Sequence, residues 1–348
     1  MTDRLMERLA CPRDRSRLTL ISDILNCEHG HEYPVICGIP VLLIEEAEQT
    51  LWVAARSWAR AQAARQAGAA TEDWFIDTLG LSNEEIDRLR SDLGSGSEVG
   101  PVVRYMVGAT CGYLYRPLIG TLREYPIPEF RLPAGSGTVL DIGCNWGRWC
   151  VSAARKGYHP IGLDPSLGAV LAAQRVCRQL DVTADFVVAD ARYLPFRDGA
   201  LDTAFSYSVI QHFAKEDART ALAEVARAVA PGGVSLIQMG SAWGVRSLYH
   251  QFRRRFRSPT AFDVRYWTPP EMARTFNKLI GDSHLSVDGF LGLGIQANDI
   301  PLLPPQHRMV VRISEALRRL STLFPPLVWA ADSIYVESRV HASQSPNS

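Results

Sequence analysis

From about residue 138 onward, short apolar, β-branched runs alternate with longer stretches of helical period, a pattern that predicts an α/β fold with a largely parallel sheet. The runs open at Thr138–Ile142, in HPIGLDPS (159–166), in VVADARYLPF (187–196) and in LDTAFSYSVIQHF (201–213). A fifth follows the Pro-Gly-Gly turn of RAVAPGGVSLIQM (227–239), and LSVDGF (285–290) and DSIYVESRV (332–340) read as the sixth and seventh. Upstream, 45–130 reads as mostly helical. EQTLWVAARSWARAQAARQ (48–66) sets Leu51, Ala55, Trp58 and Gln62 at helical spacing, and Ser82 with Glu85 makes a capping box. A further helix is expected from Val102 to Arg123, after a Gly- and Ser-containing linker at 93–101. TPPEM predicts a helix start with Thr268 as N-cap and Pro269 in the first turn. Aromatic residues of the helical region, Trp52, Trp58, Trp74 and Tyr113, are read as core in preference to pocket lining.

The densest signal is VLDIGCNWGRWC (139–150). An apolar strand ends at Asp141, and Gly143 lets the chain turn where a Cβ would block a close ligand. Asn145 stands where a left-handed residue is wanted and is among the few that tolerate it. Gly147 opens a helix whose first N–H groups would face a ligand's carboxylate end. Asp141 would accept hydrogen bonds from an ammonium or an ordered water, Asp164 would hold ribose hydroxyls, and Asp190 would suit the exocyclic amine of an adenine. Three acids ending successive strands place a ligand at one sheet edge. The nicotinamide fingerprint G-x-G-x-x-G is absent.

With these five motifs in this order over roughly 136–240, the sequence resembles a class I S-adenosylmethionine (SAM)-dependent methyltransferase with a small-molecule type core. The resemblance implies a Rossmann-like seven-stranded sheet with helices on both faces, a small N-terminal β-rich ribbon and a helical cap. It implies SAM as cofactor, held by Asp141, Gly143, Cys144, Asn145, Gly147, Asp164, Pro165, Ser166, Asp190, Ala191 and Ser206. The expected units are a ribbon at 1–44, a cap and linker at 45–132, a methyltransferase domain at 133–340 with an insertion at about 241–330, and a disordered tail at 341–348. His212, just past the fourth strand, is the candidate base for an acceptor that must lose a proton, with Gln211 and Tyr207 as positioning groups and Gln238 and Arg265 as weaker candidates.

The N-terminal stretch 9–43 carries Cys11 and Asp14 in one turn and Cys27 and His31 in another, joined by a β-hairpin pattern. Two thiolates, an imidazole and a carboxylate can hold a tetrahedral zinc, with His29 as the alternative imidazole. The segment resembles the zinc-ribbon-like leaders of some methyltransferases and the small activating subunits of certain tRNA and release-factor methyltransferases. Asp14 departs from the usual cysteine, so a metal-free ribbon held by Ile36, Ile39, Val41 and Leu42 stays open. Cys37 reads as a core thiol.

Composition narrows the picture further. The 37 basic and 37 acidic residues cancel, which argues against a protein held mainly by phosphates and favours a small-molecule methyl acceptor over nucleic acid. Locally, Arg253, Arg254, Arg255 and Arg257 interleave with Phe252 and Phe256, read first as a solvated helix face. The stretch 321–330 is read as packing on the sheet. Seven irregularly spaced cysteines and the absence of a long apolar run fit a cytoplasmic enzyme without a transmembrane segment. SYSV after the fourth strand differs from an Asn-Pro-Pro-Tyr acceptor motif, which lowers the case for amino methylation of bases or glutamine. An RNA or protein methyltransferase using the ribbon as a substrate clamp, and a non-catalytic SAM-binding interaction protein, remain the alternatives.

Overall fold

A computed structural model describes residues 1–47, 52–67, 74–94, 96, 98–260 and 263–341. The first four residues of the expected 48–66 helix, Ser95 and Ser97 of the linker, and 342–348 of the tail lie outside the described residues. The ribbon holds helix α1 (Asp3–Arg8) and strands β1 (Leu18–Ile21), β2 (Ile24–Cys27), β3 (Glu32–Ile36) and β4 (Ile39–Leu42). Helices α2 (Trp52–Ala67), α3 (Asn83–Asp92) and α4 (Pro101–Thr110) form the cap. The catalytic-type unit then runs β5 (Thr138–Ile142), α5 (Arg148–Arg155), β6 (His159–Asp164), α6 (Leu167–Gln179), β7 (Asp185–Ala189), β8 (Leu201–Tyr207), α7 (Lys215–Ala228) and β9 (Val229–Gly240). It closes with α8 (Val245–Arg253), α9 (Pro269–Leu279), β10 (Gly281–Gly289), α10 (Pro305–Leu323) and β11 (Ser333–Val340).

Among the described residues the sheet has eleven strands, in the order β1-β2-β3-β4-β7-β6-β5-β8-β9-β11-β10. The seven expected strands are its core. The other four come from the ribbon, whose β4 pairs in parallel with β7 through Val41↔Val188 and Leu42↔Ala189. Inside the core, β5 pairs in parallel with β6 and β8, while β11 runs antiparallel between β9 and β10. The chain moves outward from β5 to β6 and β7, then returns to β8 on the other side of β5, so the switch point where α/β sheets bind ligands lies between β5 and β8.

Side-chain alternation divides the core between the two faces. Leu140, Ile142, Val187 and Ala189 pack with α7 and α9, whereas Phe186 and Val188 join the cluster containing α5, α6 and the cap. The alternation carries through β4, where Leu42 belongs to the first cluster and Ile39, Val41 and Leu43 to the second. The ribbon is thus part of the same core, not a bead on a tether.

Several local expectations are met and several corrected. The Ser82–Glu85 capping box is present, and Thr268 caps α9 with Pro269 behind it. The expected helix from Val102 to Arg123 stops at Thr110, because Gly112 adopts φ +99° against the Leu293 carbonyl and Pro117 sits in the 3-10 turn that follows. The sixth strand begins at Gly281, earlier than its apolar run, because β11 pairs with it throughout. Cys37 is exposed, not a core thiol: with Gly38 it forms the positive-φ pair of the β3–β4 hairpin turn, which aims its side chain outward. Trp52 is exposed beneath Arg56 instead of buried. In the 321–330 stretch Leu327 and Val328 do pack inward, while Leu323, Phe324 and Trp329 face solvent. No helix among the described residues is long and apolar enough to cross a membrane.

Candidate active site

The three acids stand at or just past the C-terminal ends of β5, β6 and β7, neighbours in the sheet. The loop after β5 is pinned to β6: the Gly143 and Cys144 N–H groups both donate to the Leu163 carbonyl, at 2.7 and 2.9 Å. Gly143, Asn145 and Gly147 all have positive φ, as expected from the residue types. The Asn145 side chain accepts from Trp146 N–H, while its own N–H donates to Asp164 Oδ2 at 3.0 Å. A Cβ on Gly143 would collide with the Val209 side chain, and one on Gly147 would stand 2.9 Å from Ala173 Cβ. The glycine loop is therefore closely covered by Val209 from the loop after β8, a residue that apolar patterning alone does not single out.

Asp141 is buried; its Oδ2 accepts from Cys150 Sγ at 3.3 Å, and its Oδ1 has no partner. Burial pushes its carboxyl up to about 7, with the Asp164 charge adding to the rise and the Cys150 contact opposing it. An orphaned carboxylate oxygen beside a side-chain-poor turn fits a ligand that donates hydrogen bonds there. Burial likewise pushes Asp164 up to about 6; its Oδ1 accepts from Ser166 N–H at 2.9 Å, leaving each oxygen a second lone pair. Ser166 caps α6, Pro165 is half-buried beside it, and Ser206 Oγ ties β8 to the Ile142 carbonyl at 3.0 Å. Cys144 and Ala191 are buried.

Asp190 has a partner within the protein. Both its oxygens accept from the buried Arg192 guanidinium, closest at 2.7 Å. The cap reaches the site in a way that sequence spacing does not reveal: Ser57 Oγ accepts from Leu167 N–H at 3.0 Å and Thr78 Oγ1 from Gly168 N–H at 2.8 Å. These two hydroxyls satisfy first-turn donors of α6, next to Asp164.

On the acceptor side, Gln211 is fully buried and works as a tie: its Oε1 accepts from Gly240 N–H at 2.5 Å and its Nε2 donates to Ser208 Oγ at 2.7 Å. It joins the end of β8 to the end of β9. Tyr207 donates to Asp288 at 2.7 Å and accepts from Gln296 at 2.9 Å, which turns its hydroxyl toward β10 and the insertion. Gln238 is buried against Ser333. His212 is half-buried in the 3-10 turn after β8, and its carbonyl accepts from Arg265 at 2.6 Å.

In the ribbon, one donor atom each from Cys11, Asp14, Cys27 and His31 lies within 4.8 Å of the others. His31 Nδ1 stands 3.2 Å from Cys27 Sγ, 3.5 Å from Cys11 Sγ and 3.2 Å from Asp14 Oδ2. Such edges approach those of a tetrahedron around zinc, whose bond lengths of about 2.0–2.3 Å give ligand separations of roughly 3.3–3.8 Å. His29 Nδ1 stands 3.0 Å from the same Asp14 Oδ2, and its side chain is largely exposed. The donor set fits the metal.

Residues 139–233 match the family model described as "Methyltransferase domain". The mouse tRNA (carboxymethyluridine(34)-5-O)-methyltransferase is 36% identical over 126 residues, covering 36% of this chain and 17% of that protein. The 2-methyl-6-phytyl-1,4-hydroquinone methyltransferase of Synechocystis is 29% identical over 160 residues, 46% of this chain and 45% of that protein. The chain thus spans less than half the length of these relatives. A solved SAM-dependent methyltransferase from Methanosarcina mazei aligns with 64% of this chain and 100% of its own at 18% identity, with a TM-score of 0.44. tRNA methyltransferases recur among the relatives, which overturns the expectation of a small-molecule acceptor with nucleic acid disfavoured. Whole-chain charge averages over segments: five arginines and no acid fall between 241 and 257. With the glycine loop, its acids and the matched segment coinciding, the chain carries a methyltransferase domain of the SAM-dependent class I kind.

Proposed function

We propose that this protein methylates a nucleotide of RNA, with SAM as the methyl donor. SAM, when bound, supplies a methyl group on a positively charged sulfur, and the residues to hold it are those of the 143–147 loop with Asp141 and Asp164. The protein's task is alignment, which in such displacements lowers the barrier by several kcal/mol. His212, in the 3-10 turn after β8, would take the proton of an acceptor that must shed one.

The observation that carries the RNA reading is α8, which leaves the C-terminal end of β9 at the acceptor edge. Phe252 and Phe256 are 71% and 68% exposed, Tyr249 is exposed beside them, and Arg253, Arg255 and Arg257 flank the rings in solvent. Exposed rings between arginines suit unpaired bases and their phosphates. tRNA methyltransferases among the relatives support the same substrate class. In this reading the ribbon, on the β7 side of the sheet, is a clamp on the RNA, and zinc held by Cys11, Asp14, Cys27 and His31 stiffens it.

The test is binding and methylation of bulk tRNA with labelled SAM. If about four arginines neutralise phosphates, affinity falls roughly 50-fold between about 50 and 200 mM salt, and Phe252→Ala with Phe256→Ala weakens RNA binding while leaving binding of the demethylated product S-adenosylhomocysteine intact. His212→Ala lowers transfer without changing that product's affinity. Salt-insensitive RNA binding with no label in RNA would refute the reading.

A further inference from the structure

Arg148 is the first residue of α5, immediately after the glycine loop, and its side chain is only 7% exposed. The guanidinium lies among three rings, 5.8 Å from Tyr115, 6.0 Å from Trp146 and 5.8 Å from Trp149. Its Nη2 donates to Asp299 Oδ2 at 3.1 Å, and the Tyr115 hydroxyl donates to the same oxygen at 2.5 Å. Its Nε is buried without a partner. A guanidinium presents donors in a planar fork that matches a carboxylate at two points, yet here its Nε edge is unused. Asp299, 1% exposed, belongs to the 3-10 turn Ala297–Leu302, far along the chain in the insertion. That turn borders a cavity of about 440 Å³, lined by Asn298, Asp299, Pro301 and Leu302 on one side and by Tyr125 and Arg155 on the other.

We propose that Arg148 recognises the amino-acid carboxylate of the SAM methionine moiety, and that Asp299 is a built-in carboxylate occupying Arg148 until the cofactor arrives. The inference rests on the SAM reading of the glycine loop. Three features lead to it together. The arginine stands at the start of the helix where the ligand's carboxylate end belongs, its fork has an unmet donor, and the carboxylate now facing it sits on a turn with open space alongside. On binding, the incoming carboxylate takes the fork and the 297–302 turn shifts into the cavity, so that cofactor binding is coupled to the insertion carrying α8 and α10. No covalent bond changes.

Calorimetry with two ligands separates this from a merely structural ion pair. S-adenosylhomocysteine carries the amino-acid carboxylate, and 5′-methylthioadenosine is the same thioether nucleoside without it. Because removing Arg148 alone strands a buried carboxylate, the informative variant is Arg148→Met with Asp299→Asn, which removes both charges. It is expected to weaken S-adenosylhomocysteine at least tenfold and leave methylthioadenosine unchanged. Asp299→Asn alone is expected to tighten S-adenosylhomocysteine several-fold, again without effect on methylthioadenosine. Equal effects on the two ligands in the double variant overturn the assignment of Arg148, and a weaker S-adenosylhomocysteine in Asp299→Asn overturns the exchange. Failure of wild-type protein to bind either ligand would instead remove the SAM reading beneath it.

Discussion

Asp141 is a carboxyl group that the fold has placed where it resists ionising: buried, beside a second buried acid, with one oxygen unpartnered. Its folded-state value of about 7, and that of about 6 for Asp164, both lie above the ordinary carboxylate range near 4. Between those values the folded chain holds protons that the unfolded chain has released. The contribution of these groups to stability is therefore fully present at the acid end and is lost as pH rises from about 4 to about 7. A ligand that donates hydrogen bonds to Asp141 favours the carboxylate and reverses the preference. S-adenosylhomocysteine affinity is expected to rise through that range, with proton release detectable by calorimetry in buffers of different ionisation heat. Asp141→Asn should abolish most of the release, and a pH-independent affinity in the wild type would contradict the orphaned oxygen as a ligand contact.

At the scale of elements, what could be read from the chain depended on the range of the forces that set it. The strands from Thr138 to Tyr207 were legible because each is an apolar run closed by a polar residue, and the capping box at Ser82 because both partners lie within one turn. The positive φ of Asn145 followed from residue type alone. The arrest of α4 at Thr110 was harder, since it depends on the Leu293 carbonyl pressing on Gly112 from the insertion. The pairing of Arg148 with Asp299, and of Ser57 and Thr78 with α6, are tertiary choices that no local pattern encodes. The ribbon sits between these cases: its four donors were legible by spacing, but their convergence depends on the β2–β3 hairpin bringing His31 onto Cys11. Purified protein is expected to contain one zinc per chain by elemental analysis, and Cys27→Ser to lose it. Full occupancy by Cys27→Ser protein, or none in wild type purified without chelator, would dismiss the site.

On the scale of the whole molecule, the decisive feature is that a leader of some forty residues donates the strand that covers the β7 edge. Unpaired edges invite association with other chains, and β4 removes that hazard here by parallel pairing. The pairing buries more than backbone. Leu42 is fully enclosed in the cluster that also holds Leu163, Val187 and Ala189, while Val41 and Leu43 pack on the side of α6. Leu5 and Leu9 of the leader join the first cluster as well, and Leu9 bridges to Phe196 beyond β7. A unit that shares its core in this way cannot unfold first without exposing the apolar faces of β7 and α6. Ribbon and methyltransferase domain are therefore expected to unfold in one transition, with zinc release and the change in tryptophan fluorescence coinciding in urea. Leu42→Ala should cost about 2–5 kcal/mol, the range for emptying a buried leucine site, and shift both signals together. Zinc release at distinctly lower urea than the fluorescence change, with catalytic-domain packing retained, would show instead that the leader is an independent module and that its pairing with β7 contributes little.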